Sequence, residues 1–266
     1  MIEFPKTGCM GVQPATVKGP CAAGVDIRPG SWDVVVGDVQ QSQGTKLPVV
    51  RPVFIGKVVD EEQVLFVLRQ YRVRFAVADT RPETTLAKRL QVACVPHGIK
   101  LWRAEYNTAP STVEVQENAV EGILKLDRTL TLDAVWYAFS QGLTVILPQN
   151  YREVTKGEFA REMCSSTRVP TKWLGRDAYA WEHQGPDHGF HAFNYLLTAV
   201  RMSNLLAYGG DRTMGATRGV VTSRAGRVVT RVDTGHRADR TVVAKSGIDW
   251  KKAFGADDDE ALYLEA

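Results

Sequence analysis

Three aspartates lie at the ends of predicted strands or just before a predicted helix, where carboxylates can converge. Asp26 ends the apolar run in GVD, Asp79 ends FAVAD, and Asp187 stands in GPDHGFH before a long helical pattern. Converging carboxylates repel one another and require cations, and oxygen ligands with open positions suit Mg²⁺ or Mn²⁺ bound partly through water. Two such ions about 4 Å apart can activate a water and stabilise the leaving oxygen of a phosphodiester. Ordinary structural roles fit too, since Asp187 suits a helix N-cap and Asp26 a turn before RPG.

Asp33 and Arg81 are secondary candidates near these acids. Asp33 lies on the predicted strand that returns after the turn, where it is either an additional metal or water ligand or a solvated acid. Arg81 follows Asp79 by two residues, and its guanidinium can hold a DNA phosphate through two parallel hydrogen bonds. A surface arginine at a helix start explains Arg81 equally well.

His188 and His191 are three residues apart at the start of the long predicted helix. They lie on one face of that helix, together with the turn that contains Asp187. Either histidine can contact a DNA phosphate or move a proton. A packing or capping role is the plainer interpretation of both. A zinc pair lacks a third ligand at matching spacing, because His183 precedes the turn.

Stepwise along the chain, the apolar pattern predicts antiparallel-type strands and then strands that alternate with helices. The predicted strands are 21–27, 32–40, 50–59, 74–79, 99–107 and 143–148, and the predicted helices are 60–73, 80–94, 127–142, 157–169 and 188–208. The last helix is predicted to be amphipathic. This order predicts an α/β fold in which a mixed sheet carries helices on both faces.

Length and charge distribution divide the chain into a body and two extensions. The 266 residues, 44% of them hydrophobic, fit one large globular domain with additions. We predict a lead-in at 1–20, a domain at 21–208 and a partly flexible tail at 209–266, basic as far as residue 252 and acidic beyond it. The tail either follows a DNA backbone or keeps the protein dispersed. Its runs GRVVTRV and RTVVAK can form a small hairpin.

Several features limit the class of protein. The net charge of +3 does not by itself indicate a nucleic-acid partner. The cysteines are widely spaced and form no CxxC pair, which argues against a disulfide framework or a zinc knuckle. No apolar run approaches the roughly 20 residues that cross a bilayer. We therefore expect a cytosolic protein with no membrane partner.

The ordered set GVDI, VADTRPE, LDRTLTLDAVWYAFSQGLTVILP and PDHGFHAFNY resembles the nuclease domain of the tailed-bacteriophage large terminase. The resemblance implies a ribonuclease H-like fold and a metal-dependent endonuclease that cuts concatemeric double-stranded viral DNA during genome packaging. It assigns the family's metal acids, which hold two Mg²⁺ or Mn²⁺ ions, to Asp26, Asp79 and Asp187. It also implies partners, namely the ATPase half of the terminase, the small terminase subunit and the portal, and a place in the host cytoplasm.

Other interpretations stay open at this point. A complete large terminase has an ATPase half with a phosphate-binding loop, and no GxxxxGK[ST] occurs in this sequence. The ATPase would therefore lie outside these residues or on another chain. Other ribonuclease H-like nucleases, such as a junction resolvase or a transposase core, would use the same three acids. The third interpretation is a non-catalytic DNA-binding packaging module.

Overall fold

A computed structural model of the chain describes residues 10–11, 16–17, 20–41, 48–140, 145–147, 151, 155–203, 220–222 and 228–230. The strands are β1 Met10–Gly11, β2 Cys21–Arg28, β3 Ser31–Gln41, β4 Pro48–Val58, β5 Val73–Asp79, β6 Lys100–Tyr106, β7 Val115–Asn118, β8 Ile123–Leu126, β9 Ser166–Trp173, β10 Arg176–His183, β11 Val220–Thr222 and β12 Val228–Thr230. The helices are α1 Glu61–Gln70, α2 Thr84–Cys94, α3 Arg128–Ser140, α4 Glu158–Cys164 and α5 His188–Ser203, and a 3-10 turn covers Val95–His97.

A mixed sheet is the centre of the fold. Within the described residues its strand order is β1-β4-β3-β2-β5-β6-β8-β7. Strands β2, β3 and β4 are antiparallel, while β2, β5, β6 and β8 run parallel to one another. Strand β2 is thus the point where the antiparallel meander meets the parallel half. The predicted α/β fold, a mixed sheet flanked by helices, is confirmed.

The two faces of the sheet bury separate cores. Along β2, Ala23 and Val25 pack in the cluster that contains α1 and α2, whereas Ala22 packs in the cluster that contains α3, α4 and α5. This alternation follows from the period of two in a strand. Helix α5 crosses β2 at Gly24, where an added Cβ would lie 1.9 Å from the carbonyl oxygen of Ala192. Glycine is therefore required for α5 to lie this close to the sheet.

The structure differs from the sequence prediction in the second half of the chain. Helix α5 is buried from Gly189 to Val200 rather than amphipathic, because other elements cover its outer side, including β10 through the contact of Trp181 with Phe190. The helix predicted over 157–169 ends at Cys164, and the β9–β10 hairpin follows it. The hairpin and strands β7 and β8 were not predicted. Of the strand predicted over 143–148, Val145 makes a single parallel bridge with Val50.

The two predicted extensions fall mainly outside the described residues. In the lead-in, Met10 and Gly11 pair with β4. In the tail, β11 pairs with β12, so GRVVTRV contributes one strand of a small hairpin, and the predicted partner RTVVAK lies outside the described residues. In the part of the chain that the structure describes, no helix is both long and apolar enough to cross a membrane.

Candidate active site

Charged side chains of neighbouring strands form a row across one end of the sheet. The registers pair Lys57 of β4 with Asp33 of β3, and Asp33 with Asp26 of β2. In the parallel pair, Val25 lies beside Ala78, so the next position brings Asp26 beside Asp79 at the end of β5. Adjacent strands are about 4.8 Å apart, which sets the spacing within the row. Because side chains alternate along each strand, all four residues project toward α5.

Asp26 and Asp79 are neighbouring like charges in the row. Asp26 is only 5% exposed. Burial and, after it, the neighbouring charge of Asp26 raise the pKa of Asp79 to about 6, against the backbone hydrogen bond from Arg81. Two carboxylates in a poorly solvated place disfavour being charged together, and a cation between them relieves the repulsion. The pair therefore has the electrostatics of a cation site.

Helix α5 begins directly above this pair. Nδ1 of His188 lies 2.8 Å from Oδ2 of Asp26, and this hydrogen bond raises the pKa of His188 despite partial burial. Arg81 reaches the pair through its backbone, whose N–H donates to Oδ1 of Asp79 over 3.3 Å, while its side chain is exposed. His188 is thus tied to the row of acids, and Arg81 lies at the rim.

Asp187 is held by side chains from several elements. Its Oδ2 lies 3.1 Å from Oγ of Ser166, 3.1 Å from Nε2 of His191 and 3.7 Å from Nη2 of Arg128. Burial raises the pKa of Asp187, but the hydrogen bond and charge of His191, with Ser166 and Arg128, outweigh it and lower the pKa to about 2. Asp187 therefore remains a carboxylate over the whole range in which enzymes work.

A buried hydrogen-bond chain orients His191. Its Nδ1 lies 2.7 Å from Oη of Tyr106, and Nδ2 of Asn194 donates to the same Oη over 3.0 Å. Burial raises the pKa of Tyr106, so its hydroxyl keeps its proton. Because Oη accepts from Asn194, its proton is directed to Nδ1 of His191 when the imidazole is neutral, and the imidazole proton is then on Nε2, facing Asp187. Tyr106 thereby fixes the tautomer of His191.

The other end of the row is an ionic cluster. Asp33 accepts from Nη2 of Arg28 over 2.8 Å, and Nζ of Lys57 lies 3.9 Å from Asp33 and 3.0 Å from Oε1 of Glu162. Lys57 also donates to Glu158. Burial and, after it, the charge of Glu162 raise the pKa of Asp33 to about 7, against the charges of Arg28 and Lys57. Asp33 therefore lies beside the Asp26 position but is bound by cations of its own.

The structure brings the predicted residues together in two linked groups. Asp26, Asp79 and His188 form one, with Asp33 next to it, and Asp187 with His191 forms the other. Four further side chains contribute to the site and were not predicted from the sequence: Tyr106, Ser166, Lys57 and Glu162. Of these, Tyr106 lies in the strand predicted over 99–107, on the same face as Ala104, whose register partner in the structure is Asp79.

The Asp26–Asp79 pair has the chemistry of a site for a divalent cation. The carboxylates of Asp26 and Asp79 are hard oxygen ligands, and their mutual repulsion fits an ion that keeps water in its remaining positions. Among the described residues, no group of three or more His, Cys, Asp or Glu side chains has the arrangement of a metal site. The pair Asp26 and Asp79 fits a divalent ion by its oxygen ligands and its charge. A metal site formed by all three acids, with Asp187 included, stays a prediction.

Comparisons with known proteins give likenesses of fold only. A scan against protein-family models finds no match, and a search of curated proteins finds none. Among solved structures, the nuclease domain of the large terminase subunit gp2 of bacterial virus Sf6, with manganese and beta-thujaplicinol, is 12% identical, with a TM-score of 0.45, over 69% of this chain and 89% of that one.

Two resolvases are also among the similar structures. Thermus thermophilus RuvC is 12% identical with a TM-score of 0.35, over 70% of this chain and 96% of that one. The Fowlpox virus resolvase in complex with Holliday junction DNA is 11% identical with a TM-score of 0.39, over 70% of this chain and 99% of that one. At identities and TM-scores this low, the function of this chain is inferred from its own side chains.

Proposed function

We propose that this chain is a metal-dependent endonuclease that hydrolyses phosphodiester bonds of double-stranded DNA. The observation that carries the proposal is the pair of carboxylates, Asp26 and Asp79, at the adjoining ends of parallel strands, with Asp187 at the helix start above them. These acids would hold two Mg²⁺ or Mn²⁺ ions. When bound, such ions supply Lewis-acid activation of water and neutralise charge on the phosphate.

The protein groups around these acids have separate tasks in this proposal. His188 is 2.8 Å from Asp26 and partly exposed, so it can hold a proton or a phosphate at the mouth of the site. Arg81 presents an exposed side chain beside Asp79 for a flanking phosphate. His191 is 9% exposed and both of its ring nitrogens have partners, so we assign it to orienting Asp187 rather than to DNA.

The biological substrate we propose is concatemeric viral DNA during genome packaging, in the host cytoplasm. Support for this comes from the ordered motifs that resemble the terminase nuclease domain. In that role the chain would work with the ATPase half, the small terminase subunit and the portal. A junction resolvase or transposase core is the alternative, since the same acids would serve it. A non-catalytic packaging module is disfavoured by the intact acids.

Cleavage of plasmid and junction DNA tests the proposal. Purified protein is incubated with supercoiled plasmid, relaxed plasmid and a synthetic four-way junction, with Mn²⁺, Mg²⁺ or a chelator. Asp26→Asn and Asp79→Asn should abolish Mn²⁺-dependent cutting. Asp60→Asn is the matched control, because Asp60 caps α1 and asparagine caps a helix equally well.

The pattern of cleavage separates the alternatives. Equal cutting of both plasmids favours the packaging nuclease, and a preference for the junction favours a resolvase. Undiminished cutting by both Asn variants would refute the assignment of the acids. No cutting by the wild type under any of these metals would refute the endonuclease itself.

A further inference from the structure

The start of α5 is capped in an unusual way. The carbonyl oxygen of Asp187 accepts the first hydrogen bond of the helix, from the N–H of His191 over 3.1 Å, so Asp187 occupies the N-cap position. The first N–H groups of a helix have no acceptor within the helix, and an aspartate at the N-cap ordinarily supplies one from its own carboxylate. Here Oδ2 of Asp187 is instead directed at the side chains of Ser166, His191 and Arg128.

A glutamate from the neighbouring helix takes over the capping bond. Oε2 of Glu162, on α4, accepts from the backbone N–H of Gly189 over 2.6 Å. Glu162 is only 5% exposed, and its other oxygen accepts from Lys57 over 3.0 Å. A negative charge at this end of a helix also interacts favourably with the helix dipole. Residue 189 must be small for this approach, since a Cβ there would lie 2.8 Å from Oε2 of Glu162.

We propose that Glu162 is a positioning residue that caps α5 in place of Asp187. By satisfying the Gly189 amide it leaves the Asp187 carboxylate to His191 and Arg128, and it holds His188 where that residue meets Asp26. Without Glu162, the nearest acceptor for the amides of the first turn is Asp187 itself, which would then turn away from the site. The role in cleavage rests on the function proposed above, whereas the capping role can be tested without it.

The chain offers a matched pair of glutamates for the test. Glu158→Gln removes a charge beside the same lysine but leaves the bond to Gly189. Glu162→Ala removes the capping bond, and Glu162→Gln is the milder second variant, which keeps a carbonyl oxygen but loses the charge. Hydrogen exchange of the Gly189 amide, the NMR signal of the His191 Nε2–H, and kcat and KM for Mn²⁺-dependent plasmid cleavage are measured in the full chain.

The expected results follow from the loss of one charge-assisted hydrogen bond. Exchange of the Gly189 amide should speed up by about 10- to 100-fold in Glu162→Ala, less in Glu162→Gln, and stay unchanged in Glu158→Gln. The His191 Nε2–H signal should move in Glu162→Ala as Asp187 turns to the helix amides. The value of kcat should fall by about 10-fold or more while KM for DNA stays within about twofold.

Three other results would overturn the capping role of Glu162. A Gly189 amide that exchanges at the wild-type rate in both Glu162 variants overturns the proposal, and so does an unmoved His191 signal when that amide exchanges faster. An equal effect of Glu158→Gln also overturns it, because the cause would then be charge alone. If the wild type does not cleave DNA, the function proposed above fails, and the exchange and NMR results still decide whether Glu162 is the cap.

Discussion

Replacing Tyr106 by phenylalanine removes a single oxygen atom from the chain that orients Asp187. The hydroxyl lies 2.7 Å from Nδ1 of His191 and accepts from Asn194 over 3.0 Å. Asn194 keeps its second acceptor, Oγ1 of Thr131 at 3.2 Å, so the loss falls on His191 and on the buried hydroxyl of Tyr195, which also hydrogen-bonds Tyr106. A buried polar group left without its partner costs about 1–3 kcal/mol, which is the expected loss in the free energy of unfolding.

The same substitution should weaken the function more than the fold. Without the Tyr106 hydroxyl, either ring nitrogen of His191 can carry the proton, and the hydrogen bond to Asp187 is no longer enforced. Loss of a group that orients a ligand typically reduces metal affinity or activity by about 10- to 100-fold. We expect Tyr106→Phe to lie in this range for Mn²⁺-dependent plasmid cleavage.

Three measurements check this prediction. Denaturant unfolding gives the stability change, plasmid cleavage gives the rate, and ¹⁵N NMR of the His191 ring reports the tautomer, which should change from Nε2–H alone to a mixture. Tyr179→Phe is the control, since it removes an exposed tyrosine hydroxyl whose ring packs beneath Arg168. Wild-type cleavage together with an unchanged His191 spectrum in Tyr106→Phe would refute the proposed orientation of Asp187.

Further predictions concern packing, pH and thiol reactivity. Gly24→Ala should prevent α5 from seating, because its Cβ would lie 1.9 Å from the Ala192 carbonyl oxygen; thermal unfolding should show a loss of about 3 kcal/mol or more, whereas Gly185→Ala, with its nearest atom 3.8 Å away, should be near wild type. Since burial raises the pKa of Asp79 to about 6, a proton displaces Mn²⁺ below that pH, so Mn²⁺ affinity measured by calorimetry should fall from pH 7 to pH 5; constant affinity would contradict this. Without metal, stability should decrease as the pH rises from about 4 to about 6, because the folded state holds the Asp79 proton more tightly than the unfolded state. Asp33, whose pKa burial raises to about 7, adds to this decrease, so Asp79→Asn should make it smaller without removing it. Burial raises the pKa of the Cys21 thiol to about 12, so iodoacetamide should label it only after unfolding, as mass spectrometry can determine.

The first half of the fold was predictable because its signals are local. Apolar runs ending in Asp26 and Asp79 defined strands β2 and β5, and the placement of both acids at strand ends was visible from the sequence. Their pairing depends on β2 and β5 lying side by side, which the motif resemblance implied and the register now shows. No local sequence pattern could have shown that these two strands are neighbours.

Features that depend on contacts between distant elements were not predictable. Residues 165–169 continue a helical pattern after α4, yet Ser166 starts the β9–β10 hairpin, where its hydroxyl meets Asp187. Glu162 has the composition of a surface helix residue, and only the approach of α5 makes it a buried cap. The residue pattern of α5 predicts an amphipathic helix. The sequence does not show that other elements cover the outer side of this helix and bury it.

The crossing of α5 over β2 at Gly24 also bears on how this site tolerates change. At that point main-chain atoms face main-chain atoms, since the neighbours of the missing Cβ are the Ala192 carbonyl oxygen and the Leu196 amide nitrogen. The distance between helix and strand is therefore set by the polypeptide backbone rather than by the size of any side chain. Substitutions elsewhere in the two cores can relax by repacking and lower stability, while the height of Asp187 above Asp26 stays the same. A lineage of such proteins could thus drift widely in core sequence and keep one carboxylate geometry.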